Sequence, residues 1–116
     1  MSEPLLQRHE DEIAIPAVVW HELLFGVARL PSSRRRDAIQ RYLDEVVLRT
    51  MPILDYDRAA AEWHAAERAR LVLRGETPPF VDGQIAAIAY VHDLALVTLN
   101  ASDFRAFHGL RVVGWH

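Results

Sequence analysis

"PPFVDGQIAAIAYVHDLALVTLNASDF", residues 78–104, is the stretch on which the fold turns. After a Pro-rich loop, the Ala-rich run at 81–92 predicts a largely buried helix. "LALVTLN" (94–100) follows it as an unbroken apolar strand, of the kind found inside a parallel sheet. Asp82 stands at the mouth of the helix, and Asp103 lies just past the strand. Either acid alone has an ordinary explanation. Asp is a preferred helix cap, and an acid near a helix N-terminus stabilises it by roughly 0.3–1 kcal/mol.

Outward from this segment, helices and short strands alternate. "EIAIPA" (12–17) reads as a strand ending at Pro16, and Pro suits the first turn of the helix expected over 16–30. That helix turns Val18, Val19, Leu23, Leu24 and Val27 inward. Ser32 or Ser33 is placed to cap a helix over 34–50, where Ile39, Tyr42, Leu43 and Val46 recur at helical spacing. "MPILDY" (51–56) is a second strand. Asp57 caps a long helix that Gly75 stops, and "LRVVGW" (110–115) is the last strand. "ASDFRAF" (101–107) has room for a single helical turn. The alternation implies an α/β fold with a mostly parallel sheet flanked by helices. Ligands of such sheets bind beyond the carboxyl ends of the strands.

The chain has 116 residues, 51% of them apolar, enough for one domain with a real core. A net charge of −3 argues against a broad nucleic-acid-binding surface. Cysteine is absent, so thiolate metal sites are excluded and a reducing cytoplasm is the expected compartment. No apolar run reaches the length of a membrane span or resembles a signal peptide core, so no membrane partner is expected. The thirteen basic residues are all arginine, and their only run, "SSRRR" (32–36), reads as a solvated helix start. None of the six histidines pairs with another at ligand spacing on one helix, and "HELLF" lacks the second histidine of a zinc motif.

A third acid meets the strand-exit condition. Glu22 lies in the helix that leaves "EIAIPA", between "VVW" and "LLFG". Carboxylates gathered in apolar surroundings repel one another and lose hydration, which favours a compensating cation. An oxygen-only ligand set suits Mg²⁺ or Mn²⁺, and such an ion beside a strand exit suits phosphodiester hydrolysis.

"AIPAVVWHELLFGVARLP", "TPPFVDGQIAAIAYVHDLALVTLNASDF" and "GLRVVGW" closely resemble PIN-domain ribonucleases, in particular the VapC-like toxins of bacterial type II toxin–antitoxin pairs. The resemblance implies a PIN-like three-layer fold and a Mg²⁺-dependent endoribonuclease, with Glu22, Asp82 and Asp103 as metal ligands. Thr98 and Asn100, from the family's T-x-N-x-x-D-F signature, would help order the metal shell or the scissile phosphate. Leu99 stands where the family often has arginine. A structured RNA substrate, a cognate antitoxin and a homodimer are implied as partners.

The family opens with a strand ending in a first catalytic aspartate. "MSEPLLQRHEDE" instead resembles the end of the family's first helical region, and none of Glu3, Glu10, Asp11 and Glu12 follows an apolar strand. The expectation is one PIN-like domain over 1–116, N-terminally truncated relative to the family, its first strand missing and its activity weak or absent. The alternative is a degenerate, non-catalytic PIN fold that acts as an antitoxin-binding module.

Overall fold

The computed structural model describes residues 4–7, 13–98 and 100–114. Five strands form one sheet in the order β3-β2-β1-β4-β5. They are β1 (Leu5–Gln7), β2 (Ile13–Pro16), β3 (Ile53–Leu54), β4 (Ala95–Thr98) and β5 (Val112–Gly114). β2 pairs with β3 and β4 with β5 in parallel, while β1 runs antiparallel to both β2 and β4. Four strands therefore share one direction, with β1 reversed at the centre. The expected α/β class holds, with a mixed sheet.

β1 corrects the helical reading of the first residues. Leu6 lies opposite Ala14 on one side and Leu96 on the other, and it is fully buried. Without it β2 and β4 would face each other across a row of unpaired N–H and C=O groups, each costing on the order of 1–3 kcal/mol. Three residues bridge that row, and two of them, Leu5 and Leu6, bring apolar side chains into the core. Leu6→Ala is expected to cost about 2–5 kcal/mol. Urea denaturation checks this, and unchanged stability would remove β1 from the core.

α5 (Phe80–Val91) is the hub of the helical part, with Gly83 and Ile85 through Ala89 all buried. It packs on β2 and β4 and against α1 (Ala17–Ala28), while α4 (Arg58–Leu73) lies along it. Alanines at 86, 87 and 89 let these neighbours approach closely. Trp63 of α4 stacks on Tyr90 of α5 with ring centroids 4.7 Å apart, locking the pair at its far end. α4 begins where expected, with Asp57 Oδ1 accepting from the Ala60 N–H at 2.9 Å. It ends at Gly75, whose φ of +77° is open to glycine at little cost.

The helix expected over 34–50 departs from a regular α-helix. Ser33 caps α2 (Arg34–Tyr42), as its hydroxyl accepts from the Arg36 N–H. A π-helical turn follows at Leu43–Val47, and then α3 (Leu48–Thr50). Leu43 and Val47 are buried, whereas Tyr42 and Val46, two of the residues at the expected spacing, are exposed. The wider turn re-phases the helix, so the apolar face follows a different set of residues from the 3.6-residue reading. No helix among the described residues is long and apolar enough to cross a membrane.

Candidate active site

The shared direction of β2 and β4 brings their carboxyl ends to one edge of the sheet. The chain leaves β2 into α1, which carries Glu22, and leaves β4 into a 3-10 turn (Ala101–Phe104), which carries Asp103. α5 begins at the same edge, because it must descend before β4 climbs back. Its first turn carries Asp82. A cleft of about 310 Å³ results, whose walls include Glu22, Asp82, Thr98, Asn100 and Asp103. All five residues singled out from the sequence meet there. Val18, Ile85 and Phe104 supply apolar wall, and Pro4 closes the side next to β1.

Asp82 and Asp103 also line a second recess of about 430 Å³, with Glu76, Thr77, Pro78, Pro79 and Ala106. The two carboxylates thus form a partition between two openings. Burial, and then the negative charge of Asp103, push the Asp82 carboxyl above its usual range. Among the described residues, no arginine or histidine lines either recess, so none of them supplies a cation to offset the pair.

Thr98 is buried, and its hydroxyl accepts from the Asn100 N–H at 3.0 Å. Asn100 O in turn accepts from the Asp103 N–H at 3.0 Å. This short relay folds the chain out of β4 and sets the start of the turn on which Asp103 sits. Phe104, buried at 3% exposure, pins the other side of Asp103 to the core.

Glu22 is looser. Its carboxylate is half exposed and lies 3.5 Å from His21 Nδ1, an exposed pair that contributes little to stability. Among the described residues, no three acid or histidine side chains stand close enough together to grip a metal ion. Glu22 shares the cleft with the Asp82–Asp103 pair without joining so tight a cluster. Its side chain has three rotatable bonds and solvent on one side, so it has freedom to reach inward.

Glu76 escaped the sequence reading. In the loop "ETPP" it carried no periodicity or motif, yet it walls the second recess. Its Oε2 makes no hydrogen bond, with Arg74 Nε 4.0 Å away. Leu99, Glu3, Glu10, Asp11 and Glu12 lie outside the described residues.

The donor set is compatible with a hard divalent ion: oxygen ligands only, no compensating cation among the described wall residues, and two openings through which water can complete the shell. Comparison with known proteins identifies the family. Residues 2–109 match the PIN domain family model. VapC ribonuclease Y4jK of Sinorhizobium fredii is 31% identical over 98 residues, covering 83% of this chain and 70% of that protein. A tRNA(fMet)-specific endonuclease VapC of Shigella flexneri is 31% identical over 107 residues, covering 92% of this chain and 78% of that protein. Among solved structures, FitAcB from Neisseria gonorrhoeae superposes with a TM-score of 0.80 at 27% identity, over 87% of this chain and 73% of that one. VapBC-5 of Mycobacterium tuberculosis, described as a member of the VapBC family of toxin–antitoxin systems, gives 0.72 at 28% identity, over 88% of this chain and 81% of that one. On sequence, fold and the edge of the sheet where its acids gather, the chain belongs to the PIN-domain family, in its VapC-like group.

Proposed function

We propose that this protein is the nuclease toxin of a type II toxin–antitoxin pair, and that it hydrolyses RNA phosphodiester bonds with the aid of Mg²⁺ or Mn²⁺. One observation carries the reading: Asp82 is partly buried against Asp103 in a cleft with no arginine or histidine among the described residues of its walls, so the pair favours an added cation. The names of the relatives, a VapC ribonuclease and a transfer-RNA-specific endonuclease, support RNA as the substrate class.

In this reading Asp82, Asp103 and Glu22 hold the ion. When bound, such an ion lowers the pKa of a coordinated water and stabilises charge on phosphate. The protein's own contributions are distinct. Asp82, its carboxyl raised by burial and then by Asp103, is the acid that gains most from a neighbouring cation. Thr98 and Asn100 set the turn that presents Asp103, and the exposed Asn100 side chain is placed to donate to a phosphate oxygen. Val18, Ile85 and Phe104 keep one wall of the cleft dry, which strengthens every charge interaction inside it. The toxin–antitoxin description of the solved relative supports a cognate antitoxin that holds the protein in check, and the same reading makes the protein a cytoplasmic homodimer.

A non-catalytic antitoxin-binding module is the second reading, favoured by the absence of a three-ligand cluster among the described residues. Metal removal separates the two. Purified protein is expected to cleave a structured transfer RNA in Mg²⁺, to lose that activity in EDTA, and to regain it when Mn²⁺ is restored. RNA left intact in all three conditions, with antitoxin binding retained, would leave only the binding module.

A further inference from the structure

Glu67 sits in the middle of α4, far along the chain from any residue of the cleft, and its side chain is only 10% exposed. It makes a forked ion pair with Arg70, Oε1 to Nη2 at 2.6 Å and Oε2 to Nε at 3.2 Å. The same Oε1 accepts from the backbone N–H of His108 at 2.5 Å. Arg70 Nη2 in turn donates to the backbone carbonyl of Ala106 at 2.8 Å. Two side chains of one helix thus hold two backbone groups of the segment 105–109, directly after the turn that carries Asp103.

That segment needs such a grip. Residues 105–111 form no regular ladder, and Ala106 itself walls the recess that Asp82 and Asp103 share. The relay through Thr98 and Asn100 fixes where the Asp103 turn begins. The Glu67–Arg70 fork fixes where it ends, across 36 and 41 residues of sequence. As a stability device the fork is modest: Glu67 gives up most of its hydration, while solvent screens the pair at Arg70, whose side chain stays 35% exposed. As a positioning device it is well suited, because a planar guanidinium bonded to a carboxylate and to a carbonyl admits little freedom of placement.

We infer that Glu67 and Arg70 are positioning residues of the candidate active site, holding the 105–109 segment so that Asp103 stays at its spacing from Asp82 across the shared recess. This rests on the reading of Asp82 and Asp103 as holders of a divalent ion.

The test is Mn²⁺ binding, read by the loss of the free-ion electron paramagnetic resonance signal, with no substrate present. Wild type, Asp82→Asn, Glu67→Ala, Glu67→Gln and Val47→Ala are compared at a temperature where circular dichroism shows each fully folded. Glu67→Ala is expected to weaken Mn²⁺ binding about tenfold, the scale seen when groups supporting metal ligands are removed. Glu67→Gln retains an acceptor for the His108 N–H and for Arg70, so it should recover most of that loss. Val47→Ala opens the core beneath the π-helical turn and should lower the melting temperature while leaving Mn²⁺ affinity within twofold of wild type. If Glu67→Ala binds Mn²⁺ as wild type does while Asp82→Asn does not, the positioning role is overturned and the metal site stands. It is overturned equally if Val47→Ala weakens Mn²⁺ as much as Glu67→Ala. If wild type and Asp82→Asn alike fail to bind Mn²⁺, the metal reading falls and the inference falls with it.

Discussion

Replacing Asp82 by asparagine is expected to cut RNA cleavage about a thousandfold or more while raising the melting temperature of the metal-free protein by a degree or more. The first effect follows from removing one of the three carboxylates that would hold the ion, whose stabilisation of the reacting phosphate is worth several kcal/mol. The second follows from the sign of the shift at Asp82. Burial, and then Asp103, raise its folded pKa, so the ionised form is worse off folded than unfolded. That penalty is absent below the unfolded value, grows as pH rises from the unfolded towards the folded value, and is complete above it. Asparagine removes it. An ordinary helix-start acid predicts the reverse, since losing its interaction with the helix N-terminus would lower stability by roughly 0.3–1 kcal/mol. Asp82 lies inside the first turn of α5, whose N-cap is Pro79, so it is not the capping residue, which limits what is lost. Thermal melts at pH 7 without metal, paired with cleavage of a transfer RNA in Mg²⁺, check both halves. Unchanged cleavage would remove Asp82 from the site, and a lower melting temperature would return it to the role of helix-start acid.

The same pair of measurements bears on the first question the sequence raises: why two acids stand at two openings. Their positions were readable because each is marked locally, Asp82 by the Pro-rich loop before an apolar helix and Asp103 by the end of an apolar strand. The edge of the sheet where they meet followed from the alternation of helices and strands, since parallel strands deliver their exits to one side. Three features were not readable. β1 is three residues long, too short for alternation to register, and only the need to pair β2 with β4 explains it. The π-helical turn at Leu43–Val47 is a tertiary choice: regular spacing puts Tyr42 and Val46 inward beside Leu43, and the core keeps Leu43 but takes Val47 while Tyr42 and Val46 stay exposed. Glu67 looks like one more surface acid of a charged helix until the fold carries His108 to it over 41 residues. Local signals mark element ends and periods. Contacts made across the chain leave no such mark.

Gly83 shows how closely the helix bearing Asp82 is fitted. Gly83→Ala is expected to destabilise the protein by about 2 kcal/mol, although alanine in place of glycine inside a helix ordinarily stabilises by roughly 1 kcal/mol. A Cβ at this position would lie 2.0 Å from Nε2 of His64 and 2.7 Å from its Cδ2. The imidazole can step aside only by giving up contacts. It is 3% exposed, shares a 2.9 Å hydrogen bond between Nδ1 and the Tyr56 hydroxyl, and lies against Phe80 with ring centroids 4.8 Å apart. Burial, and then the charge of Arg68, hold its pKa below the usual histidine range, so at neutral pH a neutral ring fills the space between α4 and α5. Either α5 shifts away from α4, taking Asp82 with it, or His64 gives up its bond to Tyr56. The first route should reduce cleavage along with stability, while the second costs about 1 kcal/mol for the lost bond. His64→Ala should relieve the clash, so the double variant His64→Ala/Gly83→Ala is expected to be more stable than the sum of the two single losses by about 2 kcal/mol. Urea denaturation of the four proteins gives this coupling directly. Additive losses, or a Gly83→Ala protein as stable as wild type, would mean that α4 and α5 do not meet at His64 and Gly83, and would remove the close approach that fixes Asp82 at the mouth of its helix.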